Sequence, residues 1–374
     1  MQKKIENIQG LRGVAILLVV ILHLLAMDKK FGHGERILSD FFIIGASGVD
    51  LFFVISGFVL GATRRGVFQR PASILHFFYN RLSRIYPLYW IYCAMTLAVF
   101  LVRPEWVPAL RENRTSIMES FLLLPQNVLP FLPVAWALVH VIYFYCVFTV
   151  LLVAHEKRLT SLLMLWALLV IFGNLLYKYG PFSQSTPIIK LITSPLTIEF
   201  IAGSVIAKLI QRGMKSLGGT VMIVGAVLLL TGYGLYYFVA PGTAPKDWLR
   251  VAIFGVPCIL IVYGAVTMEL SSNIVFPRLV RFLGDASYST FLSHAIVLLA
   301  IGRLWGALFS LPGKIDNLLV MLVMISAALS VGIGSYLTIE RRLSSLFQRI
   351  GMRLFRFDLA KSQERLPKTY KPLA

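Results

Sequence analysis

The chain is predicted to be an all-α, polytopic membrane protein with about ten transmembrane helices and both termini cytoplasmic. Three observations predict it. Of the 374 residues, 57% are hydrophobic and only 14% charged, where a soluble domain carries about 25% charge. The apolar residues gather in repeated runs of roughly 18 to 22, the length of a helix that spans hydrocarbon. The basic excess, net +19, is concentrated in alternate connections between those runs.

The predicted spans are 11–27, 41–61, 85–102, 133–153, 160–177, 188–208, 217–239, 250–269, 287–309 and 318–339. The first run is as apolar as a signal peptide over 14–27, but no small-residue cleavage site follows, so it is expected to be a span. The connection after the second run holds Arg64, Arg65, Arg70, Arg81 and Arg84 without an acid. "HEKR" at 155–158 and "KLIQRGMK" at 208–215 are also basic, while the loops 28–40 and 103–132 balance their charges. The basic connections are therefore cytoplasmic and the balanced ones outside. A charge of +19 also suits a nucleic-acid partner, but its placement between spans makes topology the simpler cause, and no nucleic acid is expected.

Residues 1–340 thus form the transmembrane domain and 341–374 a basic cytoplasmic tail. In the tail, Leu343, Leu346, Phe347, Ile350, Leu354 and Phe357 recur at helical spacing with arginines between them. This predicts an amphipathic helix on the inner leaflet, with a disordered end from 358. Cys93, Cys146 and Cys258 lie in apolar runs without ligand spacing and are expected to be core residues. Metal-site spacings such as HExxH are absent, so no metal is expected.

Ionisable groups inside spans are functional candidates, because hydrocarbon makes them costly. In "LRGVAILLVVILH", Arg12 and His23 are eleven residues apart. That is three turns plus about 20°, which puts both on one face, about 16 Å apart along the axis. Alone, each is equally a snorkelling Arg or a packing His; together on one face they favour function. "GVDLFFVISGF" carries Asp50 near its start. Helix rise places Asp50 within about one and a half turns of His23 in depth. Such a pair fixes the imidazole tautomer and stabilises the imidazolium, or simply neutralises two buried groups. In "FFYNRLSRIYPLYW", Arg81 and Arg84 project from one side of a helix. They are either topology signals or an anion clamp for phosphate, to which Arg64 and Arg65 would add. Tyr86, Tyr89 and Trp90 read as interfacial belt. Glu199 in "TIEFIAG" lies midway along span six, and Tyr288 and His294 in "ASYSTFLSHA" open span nine.

These strings resemble the membrane-bound acyltransferase-3 family, in particular its exopolysaccharide-acetylating, stand-alone branch. "IQGLRGVAILLVVILH", "GVDLFFVISGF", "RLSRIYPLYW", "TIEFIAG" and "LGDASYSTFLSH" carry the likeness from residue 8 to residue 294. The resemblance implies ten core helices in the inner (cytoplasmic) membrane and an acyl-CoA donor, usually acetyl-CoA, with no bound cofactor. It implies transfer to a hydroxyl of a cell-surface polysaccharide or lipid-linked sugar. It assigns His23 as catalytic base, with Arg12, Asp50, Arg81 and Arg84 as further functional positions. One departure stands out. Where the family often reads Trp, a few residues, Glu and Phe-Tyr, this chain has "AWALVHVIYFY" with Val141 at the Glu position. Trp136, Phe144 and Tyr145 fit the pattern. His140 and Glu199 are the candidates to compensate, with His294, Tyr288 and Trp136 as further acceptor-side or supporting groups.

The expected reaction is direct transfer with His23 as base, since no Ser or Cys nucleophile is paired with one; an acyl-His intermediate is the alternative. Membrane lipids are expected partners, and a homo-oligomer is compatible with the sequence. Two other classes fit ten spans with buried charges: a flippase for a lipid-linked glycan, and a non-catalytic subunit of a polysaccharide export complex.

Overall fold

The computed structural model describes residues 5–32, 36–63, 65–112, 115–180, 186–214, 216–308 and 313–364. Among these, ten helical segments are long and apolar enough to cross a membrane. The protein is an all-α, multi-pass membrane protein. The spanning helices are α1 (Glu6–Phe31), α2 (Ser47–Gly61), α3 (Pro71–Val102), α4 (Trp136–Leu151), α5 (Leu159–Tyr179), α6 (Thr197–Gln211), α7 (Gly218–Val239), α8 (Val256–Ser272), α9 (Ser287–Leu308) and α10 (Lys314–Ser335). Most bounds fall within a few residues of the predicted runs, because a span must satisfy its backbone internally and be apolar over the hydrocarbon thickness.

Close backbone contacts hold the bundle where side chains alone have little hydrophobic drive to associate in lipid. A side chain on Gly57 would collide with the backbone of Phe200, and one on Gly203 with the Val54 carbonyl. α2 and α6 can therefore touch main chain to main chain, and Ser204 Oγ donates to the Gly57 carbonyl at 2.8 Å. The first turn of α1 lacks a side-chain cap of its own. Its orphan N–H groups at Glu6 and Asn7 donate instead to the Glu269 carboxylate of α8, at 3.0 and 2.7 Å, which suits a helix N-terminus.

Several expectations are corrected. α3 begins at Pro71, well before the predicted 85, because its first half mixes polar and apolar residues and hydropathy misses it. Arg81 and Arg84 are therefore inside a long helix rather than at its end. The tail helix, α11 (Arg341–Glu364), is not separate from the bundle. It continues α10 through a π-turn at Tyr336–Glu340 and packs along α3, where Tyr79 Oη donates to the Phe347 carbonyl at 3.1 Å. Its helix also continues past 358, where a disordered end was expected; residues 365–374 lie outside the described residues. Tyr86, Tyr89 and Trp90 are more than an interfacial belt. They donate to the carbonyls of Leu122, Ser120 and Phe121, pinning the 115–132 connection against the middle of α3. Cys93 and Cys258 are buried, but Cys146 is on the exterior of the bundle.

Candidate active site

Two cavities enter the bundle from the end that carries the N-termini of α1 and α3, and they share three arginines. The outer one is a polar vestibule lined by Gln9, Asn80, Asp285, Glu340, Ser344 and Gln348, among others, together with Arg12, Arg81 and Arg84. The inner one is narrow, with a cavity volume of about 120 Å³. Beyond the same three arginines its walls are mainly apolar, with Phe52, Phe53, Val59, Ile85, Val141 and Phe291 among them. The arginines thus form a collar between a polar mouth and an apolar interior. Arg12 is held in place by Ser287, whose Oγ accepts from its Nε at 3.2 Å and its second guanidinium nitrogen at 2.9 Å. Arg81 and Arg84 reach the collar from one side of α3, three residues apart as predicted, and Arg81 lies 5.1 Å from the Phe77 ring. Tyr288 lines the inner cavity and donates to the Ile85 carbonyl at 2.7 Å. It therefore shares this cavity with the three arginines.

The far end of the inner cavity is closed by rings. The adjacent Phe52 and Phe53 of "GVDLFFVISGF" each face a different group. Phe52 meets Phe291 at 6.3 Å, Phe291 meets His294 at 6.0 Å, and His294 meets His23 edge-on at 4.7 Å. Phe53 packs against Trp136, His140 and Phe144 at 6.3, 5.8 and 5.5 Å. All three histidines bond back to a carbonyl four residues earlier through Nδ1: His23 to Val19 at 2.9 Å, His140 to Trp136 at 3.1 Å and His294 to Thr290 at 3.0 Å. A carbonyl only accepts, so Nδ1 carries the hydrogen and Nε2 keeps the lone pair in each neutral ring. His294 is fully buried and its Nε2 has no hydrogen-bond partner among the described residues.

Asp50 is not beside His23. Its two oxygens accept from Arg250, Oδ1 from Nε at 2.9 Å and Oδ2 from a terminal nitrogen at 2.8 Å. Register explains the correction. Residues Asp40–Ala46 form a 3₁₀ helix, which rises faster per residue than an α-helix. Gly48 then lies against the Ala15 carbonyl. Asp50 therefore sits near the level of Ala15, eight residues or about 12 Å along the axis from His23. Arg250 also stands over the Trp136 ring at 5.8 Å, and it precedes a π-turn at Val251–Gly255, a feature frequent at functional sites. Glu199 is fully buried beside this pair, against Gly255. Arg64 lies outside the described residues, as does the side chain of Arg65.

Arg12, Arg81 and Arg84 line these two cavities and His23 lines neither; sequence reasoning missed Arg250, Ser287 and Glu340. Glu340 accepts from Ser289 N and Oγ at 3.2 and 2.5 Å in the vestibule wall. Arg250 and Glu340 stood at predicted span ends, where a charge carries no signal of its own.

Residues 5–338 match the family described as an acyltransferase domain. The chain belongs to this acyltransferase family. It is 27% identical over 321 residues to the exopolysaccharide production protein ExoZ of Rhizobium meliloti (strain 1021), covering 83% of this chain and 93% of that protein. It is 26% identical over 337 residues to the acyltransferase MdmB of Streptomyces mycarofaciens, covering 81% of each. No solved structure matches the chain at a significant level. The protein is a membrane acyltransferase, and the cavities above are its candidate active site.

Proposed function

We propose that this protein is an inner-membrane O-acyltransferase that moves an acetyl or other acyl group from acyl-CoA to a hydroxyl of a cell-surface polysaccharide or lipid-linked sugar. The observation that carries this reading is the collar of Arg12, Arg81 and Arg84 between a polar vestibule and an apolar cavity. Guanidinium forks suit the phosphates of a nucleotide, and the apolar interior suits the arm and acyl group that follow. The mouth of this path is on the basic, predicted cytoplasmic face, with both termini on that side. The likeness to an exopolysaccharide production protein supports the choice of a sugar acceptor.

His23 is the base in this mechanism. Its Nε2 lone pair is available because Nδ1–H is engaged by Val19. Nε2 removes the proton from the sugar hydroxyl, the oxygen attacks the thioester carbonyl, the C–S bond breaks, and the departing thiolate takes the proton from the imidazolium. General-base help of this kind contributes roughly 10²–10⁴ in rate. Asp50 has no part in orienting His23; the ring in contact with it is His294.

The test is purified protein with labelled acetyl-CoA and a membrane extract, followed by mass spectrometry of the sugars. Label is expected on a sugar, and His23→Ala is expected to abolish transfer while the protein still inserts and purifies. Normal turnover in a folded His23→Ala variant removes His23 as base. Movement of a glycan across the membrane without transfer of label makes the protein a transporter.

A further inference from the structure

A third cavity opens at the opposite end of the helices. It lies between the 124–130 segment, the start of α4 and the Pro187–Ile192 helix, and its volume is about 290 Å³. Successive spans alternate in direction. The N-terminal ends of α4 and α6 are therefore across the bundle from the N-terminal ends of α1 and α3, where the vestibule opens. The groove and the vestibule approach each other from the two sides.

One helix divides them. On α4, Ala137, Leu138, Val141 and Tyr145 line the inner donor-side cavity. Trp136, Val139 and His140 line the groove. Spacings of three and four residues put each set on its own face, and Phe53, which lines the inner cavity, touches Trp136 and His140 from the other side. The groove floor is thus one ring thick above the apolar cavity.

Its chemistry is that of a sugar site. Trp136 offers a large ring, held by Arg250 at 5.8 Å over it and by the edge of His140 at 5.6 Å. An aromatic ring takes the C–H face of a pyranose, and polar groups around it take the hydroxyls. His140, Asn127 and Lys190 supply those groups, and His140 keeps an Nε2 lone pair because Nδ1–H is engaged. The wall is rigid. Gln126 Oε1 accepts from Thr115 Oγ1 at 2.8 Å, and its Nε2 donates to Ser120 Oγ at 3.0 Å, while Ser120, Phe121 and Leu122 are pinned to α3. Asp50 is linked to this ring through Arg250.

We propose that this groove binds the sugar of the acceptor, with Trp136 under the ring and His140 and Asn127 at its hydroxyls, so that α4 separates donor from acceptor until transfer. The proposal rests on the acyltransferase reading. The groove is tested by two readouts, only one of which needs turnover. In a Cys146→Ser background, Leu129→Cys places a thiol on the groove lip and Gln348→Cys one in the vestibule. A membrane-impermeant thiol reagent is expected to modify the first only from the outside and the second only from the cytoplasmic side. Oligosaccharides released from the host's surface polysaccharide are expected to slow modification at position 129 at least threefold, and to lose this effect in Trp136→Ala but keep it in Trp136→Phe. In the transfer assay, Trp136→Ala is expected to raise the acceptor KM about tenfold and leave the acyl-CoA KM unchanged. Absence of protection at 129, or an unchanged acceptor KM in folded Trp136→Ala, overturns the groove even if transfer occurs. Protection at 129 with no transfer from any acyl-CoA upholds the groove and overturns the acyltransferase mechanism instead.

Discussion

Replacing Asp50 by Asn should destabilise the protein far more than it alters donor binding. Asp50 is fully buried and Arg250 only 16% exposed, and two charge-assisted bonds of 2.9 and 2.8 Å join them. Asn retains one oxygen and loses the charge. The guanidinium then keeps one amide oxygen, the Ala46 carbonyl at 3.3 Å and the Trp136 ring, with Glu199 buried alongside. Removing one partner of a buried pair costs about 3–5 kcal/mol, because the other charge is left uncompensated. Removing both with apolar residues of similar volume is often nearly neutral. Asp50→Leu should thus lose about 3–5 kcal/mol, Arg250→Met a similar amount, and the double variant far less than their sum, a coupling of at least ~2 kcal/mol. Equilibrium unfolding in detergent micelles, followed by tryptophan fluorescence, gives the four corners of the cycle. CoA affinity, measured on the same preparations, should not change in the folded fraction. Additive losses would refute the pair as the reason for a carboxylate in this span. Normal stability with lost turnover would return Asp50 to the chemistry.

Two further outcomes follow from the geometry. Arg81→Ala and Arg84→Ala should each weaken CoA binding about tenfold, since a hydrogen bond to a charged group contributes roughly 1.5–3 kcal/mol, while leaving the acceptor KM in place; calorimetric titration with CoA checks this, and unchanged affinity in both reduces them to topology signals. His294→Phe keeps a ring against His23 but removes the unpartnered Nε2, and kcat should fall by about tenfold or more at unchanged KM if that nitrogen shares the proton taken by His23; wild-type kcat in the folded variant makes His294 a packing residue.

Much of the architecture was legible in the chain because the membrane imposes it locally. A span needs about twenty apolar residues whatever its neighbours are, so most of the ten runs could be read close to their observed ends. α3 shows the limit of that rule: its first half packs against the tail helix and mixes polar with apolar residues. Arg12 and His23 share a face because 3.6 residues make a turn, a relation internal to one helix, and the same holds for Arg81 and Arg84. That the three arginines meet in one collar with Ser287 is not internal to any helix. Asp50 makes the point most sharply. Its depth depended on a 3₁₀ segment and on Gly48 seating against Ala15, and its partner lies two hundred residues away. Spacing along a helix reports only which residues share a face. Which faces meet, and at what height, is decided by the small residues that let backbones approach and by the turns that set each helix's starting level. The sequence alone therefore determined the spans and the one-helix relations within the site, and the tertiary structure decided the pairings between helices and the two cavities they enclose.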